Sequence, residues 1–508
     1  MPGPTDPAIE PVTPGDGRDD MEALAKGGKT NVFGFLLRLL ARLPFLFIAG
    51  RLYGEDAVGR FASALVVVEL VALVCSMGEK RGLAQRLTEG GENKTALVYD
   101  GLLLAFLLSG LAAAFFYAVP APLFPSGQYT ELDRLIVLAI PGYALTEIVL
   151  AAQAYRYDIA TTVKARAVVE PWTISIVAGI FFFLPTVSQS GLALAYLVSI
   201  YAGLLTGAFF FVRSYGWPRG WRPSLSRMTR LSTRATPLAV ADAIEWGTRR
   251  VDIFILGLFA APAAVGVYYM AQQIASLPQK LKTSFEPILG PVITKNLAVK
   301  NYAAIARQVC QVGFWIIAAQ TGIALALGVP GEAVMGLIGP AFVGGTGALA
   351  FLLAAEAVAA TAVVSEAALV YMARVRNLWI SVATIAFQAL LTIVLIVLVE
   401  RLGYGEPFKA AAAALSLMIA LGLASAVKAR LLARLLGEKI NIWRWALVWA
   451  AAAGTVVGFA ATFLPEWAEL LFGIPAILGA YGVVIWKRGF GEDDRLLFRR
   501  RAKTSDVD

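Results

Sequence analysis

About fourteen long apolar segments follow one another through almost the whole of this 508-residue chain, separated by short polar loops. A helix that crosses the hydrocarbon of a bilayer needs about 20 mostly apolar residues, and lipid offers no partner to an unpaired backbone amide. Segments of that kind lie near 30–50, 56–77, 95–118, 133–154, 161–184, 190–212, 236–260 and 263–291. The series continues near 304–329, 345–373, 377–399, 408–433, 441–464 and 467–487. With 58% hydrophobic and 16% charged residues, and a mean hydropathy of +0.70, the chain lacks the polar surface of a soluble protein. The expected fold class is an all-α polytopic membrane protein.

Several chemistries are excluded by what is missing. The chain has no histidine, so imidazole bases and imidazole metal ligands are absent. Cys75 and Cys310 both fall inside apolar segments and read as buried thiols, not as a disulfide. No spacing of cysteine with carboxylates suggests a metal site, and no cofactor is expected. The formal net charge of +9 does not point to nucleic acid, because the basic residues lie in short loops between spans.

Those loops alternate. Lys80, Arg81, Arg86 and Lys94 gather on one side, as do Arg156, Lys164 and Arg166, then Arg213 to Arg234. Lys280, Lys282, Lys295 and Lys300 follow, then Arg374 and Arg376, then Lys428, Arg430, Arg434 and Lys439. The intervening loops Thr186–Gly191 and Ala260–Gly266 have no basic residue. Basic loops face the cytosol, so both termini are expected there. Residues 1–28, rich in proline and acids, read as a disordered cytosolic tail, and 489–508 as a basic one.

The longest basic loop, 213–235, divides the chain into lobes 29–212 and 236–435, with an extra helix pair at 436–488. An internal repeat supports the division. Ile48–Leu70 aligns with Ile255–Leu277 at a constant offset of 207, with Ala57-Val58-Gly59 falling on Ala264-Val265-Gly266. Same-direction repeats are a recurring transporter plan, with the substrate site between lobes. At the same offset Arg42 falls on Arg249 and Arg38 on Glu245.

The segment Thr236–Ala260 carries Asp242, Glu245, Arg249 and Asp252, spaced to share one stripe of a helix. Charges at bilayer depth are costly and normally face a bundle interior or a watery path. Arg38, Arg42, Arg249 and Arg250 can form a cationic floor for a phosphorylated ligand, since guanidinium makes bidentate bonds to phosphate. They can equally form a structural network, with Glu245 and Arg249 paired along the helix. A mixture, in which acids hold the arginines until a ligand competes, joins the two readings. Asp242, Glu245, Asp252 and Glu356 are candidates for a coupling H+ or Na+, Glu356 having no obvious local partner in sequence. Glu69, Asp100, Glu147, Glu170 and Glu366 read as packing or snorkelling groups, and Gln272 as an interhelical hydrogen-bonding residue. The 213–234 loop, with Trp217 and Trp221, reads as lying on anionic lipid.

Three blocks resemble a known family. Arg51-Leu52-Tyr53-Gly54 with Val58-Gly59-Arg60-Phe61 is similar to the first-loop pattern of Wzx-like lipid-linked oligosaccharide flippases of the MATE/MOP superfamily. Arg250-Val251-Asp252 with Ala264-Val265-Gly266-Val267-Tyr268 resembles the start of their second lobe, and Val334 to Phe342 a later block. The resemblance covers roughly residues 28–435. It implies two pseudo-symmetric six-helix lobes around a central cavity, alternating access, and an undecaprenyl-pyrophosphate-linked glycan as cargo. It further implies a bacterial inner-membrane location with phospholipid around it. Contact with a glycan polymerase or glycosyltransferase fits that setting, though no motif supports it.

Two other functions were weighed on the residues. A cation-coupled drug exporter of the same superfamily needs an acid-dominated cavity, whereas four arginines favour an anionic cargo. A membrane enzyme needs catalytic groups outside the spans, and the longest outer loop, Val119 to Arg134, has no concentrated ionisable cluster.

Overall fold

The computed structural model describes residues 41–495, apart from 79–81, 84–85, 88–93, 218–220, 284–285 and 492–493. Arg38, the 1–28 tail and most of the 489–508 tail therefore lie outside the described residues. Within them the chain is helical, with no strand. Ten helical stretches are long and apolar enough to cross a membrane, and Trp445–Ala461 is a shorter apolar helix.

The first stretch, Ala41–Cys75, is a hairpin and not a single rod. The rings of Phe45 and Phe61 lie 6.1 Å apart, whereas a straight helix would separate them by about 24 Å at about 1.5 Å per residue. The reversal falls at Ala49–Tyr53, where the hydrogen-bond ladder widens to π, and at Gly54, whose φ of +77° disfavours a side chain. It separates α1 (41–48) from α2 (Gly54–Cys75). Helices α3 (Lys94–Ala118), α4 (Ala139–Tyr155), α5 (Ile159–Phe182) and α6 (Gly191–Tyr215) complete the part that the repeat assigns to a first lobe, and the term lobe is used in that sense below.

The second lobe opens with α7 (Leu225–Phe259) and α8 (Pro262–Thr283). It continues through α9 (Glu286–Ala298), α10 (Tyr302–Gly328), α11 (Gly331–Ile338), α12 (Thr346–Met372), α13 (Arg374–Arg401) and α14 (Glu406–Leu436). The last pair, α15 (Trp445–Ala461) and α16 (Glu466–Gly489), packs on itself and on α10. Helices α2 and α8, the repeat partners, are both 22 residues long, so the span read at 263–291 ends as α8 at Thr283 and its remainder belongs to α9. Helix α7 has 35 residues, about 52 Å at about 1.5 Å per residue, so it outruns the roughly 30 Å hydrocarbon layer.

Its early start changes the basic loop. The connection between α6 and α7 spans only 216–224, so Arg227, Arg230 and Arg234 are helical. Trp217 is exposed, but Trp221 is not laid out on a surface: its Nε1 donates to Asp100 Oδ1 at 2.9 Å. Arg227 Nε donates to the other oxygen at 2.7 Å, so a fully buried Asp100 ties the head of α7 to α3. Two further loop assignments need correction. Arg166 lies within the span of α5, and Lys428 lies within α14 with its side chain buried against Glu366 at 3.0 Å.

The buried apolar residues show where the lobes meet. One cluster joins Val58, Phe61 and Leu65 of α2 to Ile253 and Leu256 of α7 and to Val265 and Tyr268 of α8. Two others lie at the end carrying the basic loops, and each keeps to one lobe. One holds Leu83, Val98, Ile148 and Phe211. The other holds Val309, Trp315, Leu369 and Leu432, with Ile442 and Tyr481 of the last pair's side. Among the described residues the shared apolar core lies away from the basic loops, while beside those loops the lobes meet through Asp100 with Trp221 and Arg227 and through Gly78 packed on Leu238 and Ala239.

Candidate functional site

The ion stripe on α7 is split by its neighbours. Asp252 is fully buried and Asp242 nearly so, at 0% and 6% exposure, while Glu245 and Arg249 are exposed. Asp252 is held by three groups. Tyr268 Oη on α8 donates to Oδ2, the Ile253 amide donates to Oδ1 at 2.9 Å, and Gln272 Nε2 reaches Oδ2 at 3.5 Å. A carboxylate sealed from water needs such donors, because desolvation of an unpaired charge costs several kcal/mol or more.

Arg250 lies off that stripe, and this is what turns it toward the other lobe. Its Nη1 donates to Gln272 Oε1 at 2.9 Å, and its Nη2 lies 3.9 Å from Glu69 Oε2 on α2. Gln272 also donates to the Arg249 carbonyl at 3.3 Å. This bears out its interhelical role and adds another: it joins Asp252 and Arg250, two residues apart, through one amide. Glu69 is accordingly an interlobe partner and not a snorkelling group.

A second cluster fills the interior of the first lobe. Arg166 lies in a π-helical turn, Lys164–Val169, that interrupts α5. Its Nη1 is 2.9 Å from Glu170 Oε1 and its Nη2 is 2.5 Å from Glu147 Oε1 on α4. The guanidinium also lies over the Tyr143 ring, 4.6 Å from its centroid. All three charged side chains are mostly covered, at 22%, 12% and 15% exposure for Arg166, Glu147 and Glu170. Glu147 and Glu170 are thus interior ion-pair members, not packing or snorkelling groups.

The two clusters converge. Arg42, exposed on α1, lies within electrostatic reach of Glu170 and of Tyr269 on α8, and Arg250 and Glu69 influence Tyr269 more strongly. Tyr269 is 5% exposed and stacks edge-on against Phe61, with centroids 6.2 Å apart. Arg42, Arg166 and Arg250 share this interior with Glu69, Glu147, Glu170 and Asp252. An anion entering here would exchange with carboxylates already bound to guanidinium, and such exchange is far cheaper than exposing a bare charge.

Other sequence candidates fall elsewhere. Glu356 is half-buried on α12 and does have an interaction partner. Glu366 pairs with Lys428 and accepts from Asn377 Nδ2 at 3.3 Å, near the basic end of the second lobe. Cys75 and Cys310 are both free. Among the described residues no group of histidine, cysteine and carboxylates could hold a metal ion. Arg166 and the tyrosines Tyr143, Tyr268 and Tyr269 were missed in sequence. A signal for Arg166 was present in its spacing of four from Glu170.

The described residues form a helical bundle with ionised side chains buried between its halves, the architecture of a polytopic membrane protein. Residues 25–297, more than half of the chain, match the family described as polysaccharide biosynthesis protein, and the chain belongs to that family. No curated protein sequence matches it. Among solved structures it is similar to the inward-facing conformation of a multidrug resistance MATE-family transporter of the MOP superfamily. The identity is 14% over 78% of this chain and 94% of that chain, with a TM-score of 0.62. It is also similar to the lipid II flippase MurJ in an inward closed conformation, at 14% identity over 89% of this chain and 98% of that one, TM-score 0.62. A third is a MOP superfamily transporter from Pyrococcus furiosus described as having reverse polarity of its binding pocket. It is 15% identical over 83% of this chain and 96% of that one, TM-score 0.53. At such identities the likeness is one of fold.

Proposed function

We propose that this protein is an alternating-access flippase that moves undecaprenyl-pyrophosphate-linked oligosaccharide units across a bacterial inner membrane. The product would feed O-antigen, capsule or exopolysaccharide synthesis. Both termini and the basic loops face the cytosol, where anionic lipid and the positive-inside rule hold them. The observation that carries the reading is the contact of Arg250 on α7 with Glu69 on α2 across the lobe boundary, at 3.9 Å, beside the exposed Arg249. A diphosphate held there would contact both lobes at once, so its arrival could bias their relative position. Arg249, exposed on the next position of α7, is placed in sequence to meet the sugar or phosphate edge. Of the four candidates for a coupling H+ or Na+, Asp252 and Asp242 are the best enclosed.

A second reading has its own support. Four acids share the interior with three arginines, and a cation-coupled exporter of cationic compounds would use that excess. The discriminating experiment is a deletion strain carrying plasmid-borne Arg42→Ala or Arg250→Ala. For a flippase, lipid-linked glycan accumulates in the deletion strain and neither variant clears it. For an exporter, glycan pools stay unchanged and sensitivity to cationic drugs rises.

A further inference from the structure

We infer that the crossing of α2 over α8 is the seal that closes the interior at the end away from the basic loops, and that Gly59 and Gly266 are what allow it to close. A Cβ on Gly59 would lie 1.7 Å from the Pro262 carbonyl oxygen. A Cβ on Gly266 would lie 2.1 Å from the Glu55 carbonyl oxygen and 2.9 Å from the Gly59 amide. Gly59 and Gly266 are related by the repeat offset of 207, and so are Glu55 and Pro262. The two contacts are one contact made twice, about a pseudo-twofold axis that passes between the helices. Such an axis along the membrane normal is what same-direction repeats generate.

The nature of the contact suits a seal that must part. At the crossing point itself backbone lies on backbone, flanked by the apolar side chains of Val58, Phe61, Val265 and Tyr269, so adhesion comes from dispersion and weak Cα–H···O contacts and not from polar bonds. Each flanking turn is tied to its own lobe. On the first lobe, Tyr53 Oη donates to the Ala178 carbonyl at 2.6 Å. On the second, Lys409 Nζ donates to the Phe259 carbonyl at 3.2 Å, and the Ala261 amide donates to Glu406 Oε2 at 2.9 Å. The turns can therefore separate as parts of rigid lobes. Arg51 spans the seam, donating from Nε to the Leu337 carbonyl at 2.9 Å and from Nη2 to the Gly336 carbonyl at 3.5 Å. It is a removable clasp beside the glycine contact.

This inference rests on the alternating-access reading, but its test needs no cargo. A single reporter thiol, Arg42→Cys, is placed in a Cys75→Ala, Cys310→Ala background in sealed membrane vesicles. A membrane-impermeant maleimide is then added to either face. The parent reacts slowly from the face opposite the basic loops. Gly59→Leu and Gly266→Leu, checked for monodispersity in detergent, each raise the opposite-face rate by about fivefold or more by shifting the population that is open there. Arg51→Ala, which adds no volume, raises it by a smaller factor in the same direction. The inference is overturned if folded glycine variants leave the opposite-face rate unchanged, or if they misfold and Arg51→Ala leaves it unchanged. Loss of glycan transport by the glycine variants in the natural Arg42 background, with unaltered labelling in the reporter background, would also overturn it, while leaving the flippase reading in place.

Discussion

Arg250 on α7 and Glu69 on α2 meet across the boundary between the lobes, with Nη2 and Oε2 3.9 Å apart. Gln272 holds the other side of the same guanidinium and also touches Asp252. An interlobe ion pair is thus wired to a sealed carboxylate through one amide. A cargo diphosphate would compete with Glu69 for Arg250, so cargo occupancy and lobe contact are opposed at one residue.

Arg250→Ala should lower stability by about 1–3 kcal/mol, the usual cost of leaving a partly covered charge without its partner. Adding Glu69→Gln should return part of that loss, giving a coupling energy of about 1 kcal/mol in a double-mutant cycle. Denaturant or thermal unfolding in detergent reads both. Simple additivity of the two substitutions would show that the pair does not interact.

Asp252→Asn keeps the shape of the side chain but removes its charge. If Asp252 carries the coupling cation, transport by this variant should persist downhill and lose its response to an imposed H+ or Na+ gradient. Tyr268→Phe removes a donor but not the charge, and should retain the gradient response with a stability loss of about 1–2 kcal/mol. Gradient-driven flux in proteoliposomes separates the two outcomes, and an unchanged response in Asp252→Asn would assign coupling elsewhere.

Arg166→Ala should be more disruptive than either, because it leaves both Glu147 and Glu170 without their shared guanidinium. A loss of about 3–5 kcal/mol is expected for breaking a buried ion cluster from one side. Arg166→Ala with Glu147→Gln and Glu170→Gln should recover much of it, since the uncompensated charges are then gone. Thermal unfolding of the single and triple variants is the measurement, and equal losses would show that the cluster has no electrostatic role.

Much of this arrangement was legible in the chain. The offset of 207 paired Gly59 with Gly266, the glycines at which α2 and α8 cross, whereas the single span read at 263–291 proves to be two helices, α8 ending at Thr283 and α9 starting at Glu286. The charge stripe on α7 was visible as periodicity. Its division was not: which of Asp242, Glu245, Arg249 and Asp252 is covered depends on how α2, α8 and α13 pack around α7. Arg250 looked marginal for being off the stripe, yet that offset aims it at Glu69. Arg166 and Lys428 were read as loop residues because basic residues near span ends resemble loop charges. The π turn of α5 and the late end of α14 draw both inside, and hydropathy does not register either feature.

The last helix pair is fastened to α10 by a buried carboxylate. Asp494, 2% exposed, accepts from Arg444 Nη1 at 2.5 Å, Trp315 Nε1 at 2.9 Å and Gln311 Nε2 at 3.1 Å. Arg444 also lies over the Phe314 ring, 3.8 Å from its centroid. Asp494→Ala should cost about 3 kcal/mol by stranding these donors, and should expose α16 to proteolysis before the lobes unfold. Limited digestion with and without the substitution reads it, and identical digestion patterns would contradict a fastening role.

The most direct measurement is leaflet transfer by the purified protein. Proteoliposomes would carry an undecaprenyl-pyrophosphate-linked saccharide labelled on the sugar, and an impermeant quencher would report how much of it lies in the outer leaflet. The wild-type protein should equilibrate the label between leaflets, Arg42→Ala and Arg250→Ala should each slow transfer by about tenfold or more, equivalent to about 1.4 kcal/mol, and neither should change vesicle integrity. Transfer no faster than in protein-free vesicles, or transfer indifferent to both arginines, would contradict a flippase built around this junction.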